Sequence, residues 1–349
     1  MSRKKAKRNH SAQQQQVASA PKEASAGVQA FTFGEAEPID RASLFEYATV
    51  WRNSRWYEPP INMLALAGMV RAAPHHASAI YLKRNQLIAS FVPNKYLSRT
   101  EFAAFALDYL IFQNAYFEKI PSLAGTLLSL KHVPAAYTRR GLQPGQFWFD
   151  PMLGNGLPFE FKTEVVQLRG FDPLQEIYGV PEYMAAVNAA LLNQSATLFR
   201  RRYYDNGSHA GFILYVSDPA QSPGDIDAMR EALRKSKGPG NFRNLFMYSP
   251  NGKKDGVQLI PISEVAARDD FAAIKNTSRD DLLAAHRVPP QLLGIIPNNT
   301  GGFGDVEKAR SAFNALEIEP LQVAMTAIND QLGVEALRFK PPAALQPTQ

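Results

Sequence analysis

With 45% hydrophobic and 11% aromatic residues, the 349-residue chain can bury a sizeable core in more than one region, which excludes a chain disordered throughout. It contains no cysteine, which excludes a disulfide framework, a thiolate nucleophile and a cysteine metal site. The formal charge of +6 is unevenly spread: residues 1–26 hold six Lys and Arg against Glu23 alone, so the rest of the chain is close to neutral. A near-neutral body argues against a protein that clamps DNA over a wide basic face.

The first 30 residues read as a disordered basic tail. Arg3, Lys4, Lys5, Lys7 and Arg8 are followed by four glutamines and small residues, a composition that cannot bury enough apolar surface to fold alone. This tail is a candidate nucleic-acid contact, although a solvated basic end accounts for it equally well. No secretory signal follows the basic start. The best apolar stretch, 61–70, has about half the length needed to cross a bilayer, so a soluble protein without a membrane partner is expected.

Residues 31–180 read as one α+β region. Leu64, Met69 and Val70 have helical spacing that breaks at Pro74, and "FAAFALDYLIFQNAYFEKI" (102–120) reads as a buried helix that becomes a strand. "FWFD", "FEFKT" and "VVQLRG" read as short strands between turns. A helix is expected over 181–203, with Pro181 in its first turn and Met184, Val187, Leu191 and Leu198 on one stripe. Arg200, Arg201 and Arg202 close it at the negative end of the helix dipole.

Residues 204–262 then read as a compact αβ insertion: a turn at 205–207, strands "GFILYV", "NLFMY" and "VQLIPI", a helix over 222–237 and the turn "SPNGKKDG". A second long helix, 263–287, is expected to start at Ser263, break and restart at Ser278, whose spacing to Asp281 resembles a capping box, and stop before Val288-Pro289-Pro290. The loop 288–304 includes "NNTGGFG". After it, Asp305 caps a helix of about 40 Å running to residue 331 and kinked at Pro320. "VEALRFKPP" then offers a last strand in 332–349.

A glycine-rich loop opening a helix invites a phosphate-binding reading, but the residues refuse it. A P-loop needs GxxxxGK[ST], and neither "GGFGDVEK" nor "SPNGKKDG" supplies it. A dinucleotide fingerprint follows a strand directly, whereas this loop follows two prolines. There is no HExxH and no GxSxG, and adjacent His75 and His76 point apart on a helix. His286 ends a helix, where a cation is welcome, and the pairs Asp269-Asp270 and Asp280-Asp281 read as first-turn acids. No catalytic set, metal or cofactor is expected. A loop longer than about twelve residues without structure is either functional or disordered.

Three segments, "YYDNGSHAGFILYVSD", "NLFMYSPNGKKDGVQLIPISEVAARDDF" and "HRVPPQLLGIIPNNTGGFGDVEKA", resemble the portal proteins of tailed bacteriophages, in the branch of temperate phages with contractile tails. The resemblance runs from about residue 30 to 340 and is densest between 170 and 315. It implies a portal fold with residues 31–180 as the wing, 181–203 and 263–287 as stem helices, and 204–262 as an αβ clip. It makes 288–304 the tunnel loop, 305–331 the long helix behind it and 332–349 a return to the wing, with little or no crown.

By the same resemblance the chain is structural and not an enzyme. It would form a homo-oligomeric ring, of about twelve subunits, at one capsid vertex of the virion, assembled in the host cytoplasm. Double-stranded DNA would pass its channel during packaging and ejection. The large terminase, the major capsid and scaffold proteins, and the head-completion and tail connector proteins would be its partners. Asn298, Asn299, Thr300, Gly301, Gly302 and Phe303 would face the DNA with weak, sequence-independent contacts, and Asn251, Lys253 and Lys254 of the clip would meet partners. The alternatives are a DNA-binding or DNA-modifying protein working through its basic N-terminal arm, and a phage head protein other than the portal.

Overall fold

A computed structural model of the chain describes residues 29–32, 50–151, 156–205, 212–216, 245–248, 257–261, 267–296 and 305–341. Its contacts divide the chain into two compact units, Met1–Glu35 with Tyr203–Glu264, and Ala36–Arg202 with Val265–Gln349. Elements are numbered below in chain order.

The smaller unit is built on a four-stranded sheet of β1 (Gln29–Thr32), β9 (Leu245–Tyr248), β8 (Phe212–Val216) and β10 (Val257–Pro261), in that spatial order. β8 and β9 run parallel and the outer pairs antiparallel. A parallel pair needs a crossover of a dozen residues or more, and residues 217–244 provide the length. The expected strands are present, but the first one was assigned elsewhere by sequence. Gln29 and Ala30 fall in the expected tail and Phe31 and Thr32 in the expected wing, whereas all four pair with β9. Four residues cannot hold a strand conformation by propensity, so only the open edge of β9 defines this one. Asp205, expected to open a turn, instead ends a helix; the expected helix 222–237, residues 206–207, the turn 249–256 and Ser263 lie outside the described residues.

In the larger unit, α1 (Met63–Met69), α2 (Pro74–Ser90) and α3 (Arg99–Phe112) lead into β2 (Asn114–Pro121). Pro74 therefore begins a helix rather than only ending one, because the first helical position tolerates a missing N–H. β2 is the central strand of an antiparallel sheet with β3 (Leu127–Val133) and β7 (Val165–Arg169). A second sheet holds β4 (Thr138–Arg140), β5 (Phe147–Phe149) and β6 (Phe159–Glu160). The core joins helices to sheet through stacked rings: Phe91 on Phe102 at 4.1 Å, and Phe105 of α3 on Phe117 of β2 at 4.0 Å.

The change from α3 to β2 turns on Gln113, which adopts a left-handed φ of 52°. Buried Asn114 fixes it, donating to the carbonyls of Phe112 (2.8 Å) and Gly179 (2.9 Å) and accepting from the Gly179 N–H (2.9 Å). A Cβ at Gly179 would overlap the Gln113 carbonyl oxygen, a backbone atom already bonded to the Gly170 N–H. Gly179→Ala is accordingly expected to destabilise the chain by about 2–4 kcal/mol, read as a lower denaturation midpoint. An unchanged midpoint would mean that this junction gives way easily.

A 3-10 turn, Glu182–Ala186, precedes α4 (Val187–Asp205). Its partner α5 (Ala267–Ala285) runs without the expected break at Ser278. Ser278 is buried, and its hydroxyl donates to the Ile274 carbonyl (2.7 Å) while accepting from Asn193 Nδ2 of α4 (2.8 Å). A serine whose hydroxyl bonds the carbonyl four residues back sits inside a helix and caps nothing. Asp280 and Asp281 are therefore late-helix rather than first-turn residues.

The last helical stretch comprises α6 (Val306–Phe313), a π-helical turn (Asn314–Ile318), α7 (Glu319–Thr326) and α8 (Ile328–Leu332). Asp305 caps it as expected, accepting from the Lys308 N–H at 3.0 Å. The proline effect takes a specific form. Pro320 can neither donate to the carbonyl of residue 316 nor tolerate it at helical distance, and the chain widens into π geometry immediately before it, the Glu319 N–H reaching Asn314 O. The strand expected in "VEALRFKPP" reduces to an isolated bridge between Phe339 and Phe91. Asn329 takes up the backbone of Ala336 and Leu337, and the prolines that follow cannot donate to a ladder.

Candidate functional site

The two chain segments that flank residues 297–304 are described, and both are held firmly. On the first side α5 ends in a Schellman motif: Arg287 N–H reaches Ala284 O (3.0 Å), and Val288 N–H reaches Leu283 O (2.9 Å). Arg287 takes the left-handed position, at φ 54°, that glycine usually fills. Pro289 and a 3-10 turn, Pro290–Leu293, then lead to Gly294.

The strain at Arg287 is offset by its side chain. Its guanidinium pairs with Glu182 (2.5 Å), at the start of the turn before α4, and with Glu317 (3.1 Å), in the π turn of the long helix. Glu317 is buried, and its other oxygen pairs with buried Lys83 of α2 at 2.5 Å. Burial pushes the Lys83 ammonium below its ordinary range, and Glu317 opposes that shift. The Arg287 guanidinium is held above its usual value, chiefly by its hydrogen bond to Glu182.

Beside this network His76 Nδ1 and His286 Nε2 lie 2.8 Å apart, both buried. Burial holds His76 down to about 4 and lowers His286 as well, with His76, Lys83 and Arg287 adding to the second shift. This corrects the reading of His286 as a helix-end cation. The dipole is worth less than about 1–2 kcal/mol, whereas desolvating a charge costs several.

One carboxylate thus ties α2, the end of α5 and the long helix together, and Arg287 adds the start of α4. Among the described residues no group of three His, Asp or Glu could hold a metal. What the arrangement can do is hold the end of α5, before the loop, against the long helix that follows it. A buried ion pair such as Lys83–Glu317 is weak evidence of net stabilisation, because desolvating both charges offsets their attraction.

The loop residues Asn298, Asn299, Thr300, Gly301, Gly302 and Phe303 lie outside the described residues. So do Asn251, Lys253 and Lys254, and Arg3, Lys4, Lys5, Lys7 and Arg8. Sequence reasoning passed over Lys83, Arg287 and Glu317. A signal did exist: Lys83 interrupts the apolar face Ile80–Leu87, and Glu317 sits between Leu316 and Ile318 in an apolar helix.

Comparison with known proteins places this arrangement. A profile of the phage portal protein family matches residues 82–342, three quarters of the chain and all of the network except His76. The chain belongs to the phage portal protein family. Among curated relatives, the probable portal protein of Escherichia phage P2 is 48% identical over 341 residues, 97% of each chain. The probable portal protein of Haemophilus phage HP1 is 35% identical over 294 residues, 82% of this chain and 85% of that one. As a member of that family this portal protein is structural and not an enzyme. Its fold is also that of an HK97-family phage portal protein from Corynebacterium diphtheriae, with a TM-score of 0.54 at 17% identity over 81% of this chain and 97% of that one. A chain in the neck of a native gene transfer agent particle, computed with C12 symmetry, matches with the same TM-score at 18% identity, over 81% and 85% of the two chains.

Proposed function

We propose that this portal protein forms a closed ring of about twelve subunits at one capsid vertex and that its channel passes double-stranded DNA. The 288–304 loop is the element that meets the DNA, with Asn298, Asn299, Thr300, Gly301, Gly302 and Phe303 on the bore. Asn251, Lys253 and Lys254 of the smaller unit meet partners: the large terminase during packaging, then the head-completion and tail connector proteins. The major capsid and scaffold proteins surround the ring, which is built in the host cytoplasm and retained in the virion. ATP hydrolysis belongs to the terminase. The basic tail residues Arg3, Lys4, Lys5, Lys7 and Arg8 add nonspecific attraction to phosphates.

The observation that supports the reading is the ion pair that ties the end of α5, before the loop, to the long helix after it, within a chain that the family profile covers on either side of the loop. A loop fixed at its base and neutral at its tip can touch a sliding duplex without holding it in register, since phosphate affinity grows with each neutralised charge. Deleting Asn298–Gly302 is expected to leave ring formation intact, as judged by symmetry in electron micrographs, and to reduce packaged DNA at least tenfold. Loss of the ring on deletion would make the loop a subunit contact and overturn its assignment to the bore.

A further inference from the structure

We propose that neighbouring subunits join by seating the solvent face of one long helix in an aromatic groove of the next. The contact rests on the ring reading above and supplies the surfaces that reading lacks. A closed ring uses a heterologous interface, in which two different patches of one chain meet. The larger unit carries two such patches.

The first patch is a stripe on the last helical stretch. Ala312, Leu316, Pro320, Val323 and Ala327 follow one another at spacings of three and four, and each is exposed. Leu316 is 76% and Val323 71% accessible, which leaves an apolar stripe about 22 Å long that no described residue covers. From Ser311 to Leu332 the helix has Glu317, Glu319 and Asp330 and no lysine or arginine. With Glu317 buried on the other side, the stripe is bordered by acids.

The second patch is a groove of about 660 Å³ whose apolar wall is Phe149, Phe159 and Phe161. The rings lie 5.5–6.2 Å apart, and Phe159 is half exposed. Its rim carries Lys131 and Lys162, both exposed and in no ion pair with a described residue. The acids that border the groove are already engaged: Glu118 accepts from the Thr163 hydroxyl and Glu160 from Gln146. Those carboxylates keep their charge, so the groove is balanced overall; what it offers the stripe is apolar surface and two lysines that can pair with Glu319 and Asp330.

The two patches also lie on opposite sides of the β3-β2-β7 sheet, as a ring requires. Glu118 and its cross-strand partner Lys131 face the groove. The next residue, Lys119, faces the other way, where Phe117 stacks on α3 and the Lys119 ammonium reaches Gln331 O at the end of the long helix, 3.0 Å away. A subunit with its knob on one side and its hole on the other adds neighbours in one direction.

The test uses the full-length chain with Leu316→Asp and Phe159→Asp, both at exposed positions, with the fold of each variant checked by circular dichroism. Each variant alone is expected to remain monomeric. Mixed together they are expected to stop at a 1:1 heterodimer, because only the stripe of the Phe159→Asp chain and the groove of the Leu316→Asp chain remain intact. Within that heterodimer Lys162→Glu on the groove side should weaken the dissociation constant about tenfold, and Glu319→Lys on the stripe side should restore it. A ring formed by either single variant, or a mixture that stays monomeric, overturns this contact while leaving the ring reading in place. A wild-type chain that stays monomeric, alone and co-expressed with shell and scaffold proteins, removes the ring and the contact with it.

Discussion

Replacing Glu317 with alanine is expected to cost about 3–5 kcal/mol, the range for removing one partner of a buried ion pair. The substitution strips Lys83 of its only described ion-pair partner at a site where the ammonium is buried, and it removes one of two partners from Arg287. In a chain of this size such a loss lowers the thermal midpoint on the order of 5–10 °C. The burial that already lowers the Lys83 pKa then acts unopposed by Glu317, and the side chain loses its proton or opens the site to water.

The double variant Lys83→Met/Glu317→Gln is expected to recover much of that stability. Methionine fills the space of the lysine stem without a charge, glutamine keeps the shape of the glutamate, and Arg287 retains Glu182. Additive losses in the double variant would show that the two side chains do not act as a pair. The recovered protein separates stability from geometry: with the three-way tie gone, loop 297–304 is expected to exchange its amides faster while the core does not.

Much of this fold is legible in the sequence, because its long elements carry strong periodicity. The α4 stripe, the α3-to-β2 change, the strands β8, β9 and β10 of the smaller unit and the Asp305 cap all follow from local residue types. What is not legible is set by neighbours distant in the chain. Ser278 has the spacing of a cap, yet Asn193, 85 positions earlier, makes it an interior residue that joins two helices. Pro320 predicts a disturbance, but not its form: the chain widens into a π turn before it, and both Glu317 and Ile318 are buried there. The strand at Gln29–Thr32 exists only because β9 leaves an edge for it.

The candidate site divides the same way. Its loop stands out by composition, while its anchor is dispersed over Lys83, Glu182, Arg287 and Glu317 and becomes a unit only in three dimensions. Lone charges inside apolar stripes are the trace that such an anchor leaves in sequence.

The histidine pair beside this anchor gives the protein an acid limit whose direction follows from burial. In the folded chain His76 is held at about 4 and His286 is lowered too, against an ordinary value near 6.5 in the unfolded chain. Between those values the unfolded state binds more protons than the folded one, so stability falls as the pH falls. Above about pH 6.5 both states carry neutral imidazoles and the contribution is constant. Between pH 6.5 and about 4, His76 alone removes about 3 kcal/mol, at 1.36 kcal/mol per unit of pKa difference. His286 extends the loss in the same direction, because burial disfavours its charged form and His76, Lys83 and Arg287 beside it repel a second cation.

Protonation also breaks the arrangement of the pair. The 2.8 Å contact needs one ring nitrogen to donate and the other to accept, and two imidazolium ions have only donors to offer. Denaturation midpoints measured from pH 7.5 to 4 should therefore fall steeply below pH 6.5 in the wild-type chain. A His76→Phe/His286→Leu variant, which keeps apolar bulk beside Tyr183, should show a shallower slope over that interval, with the remaining carboxylates titrating below it. Equal slopes in the two proteins would mean that the pair is hydrated in solution and that the loop anchor has no acid-sensitive neighbour.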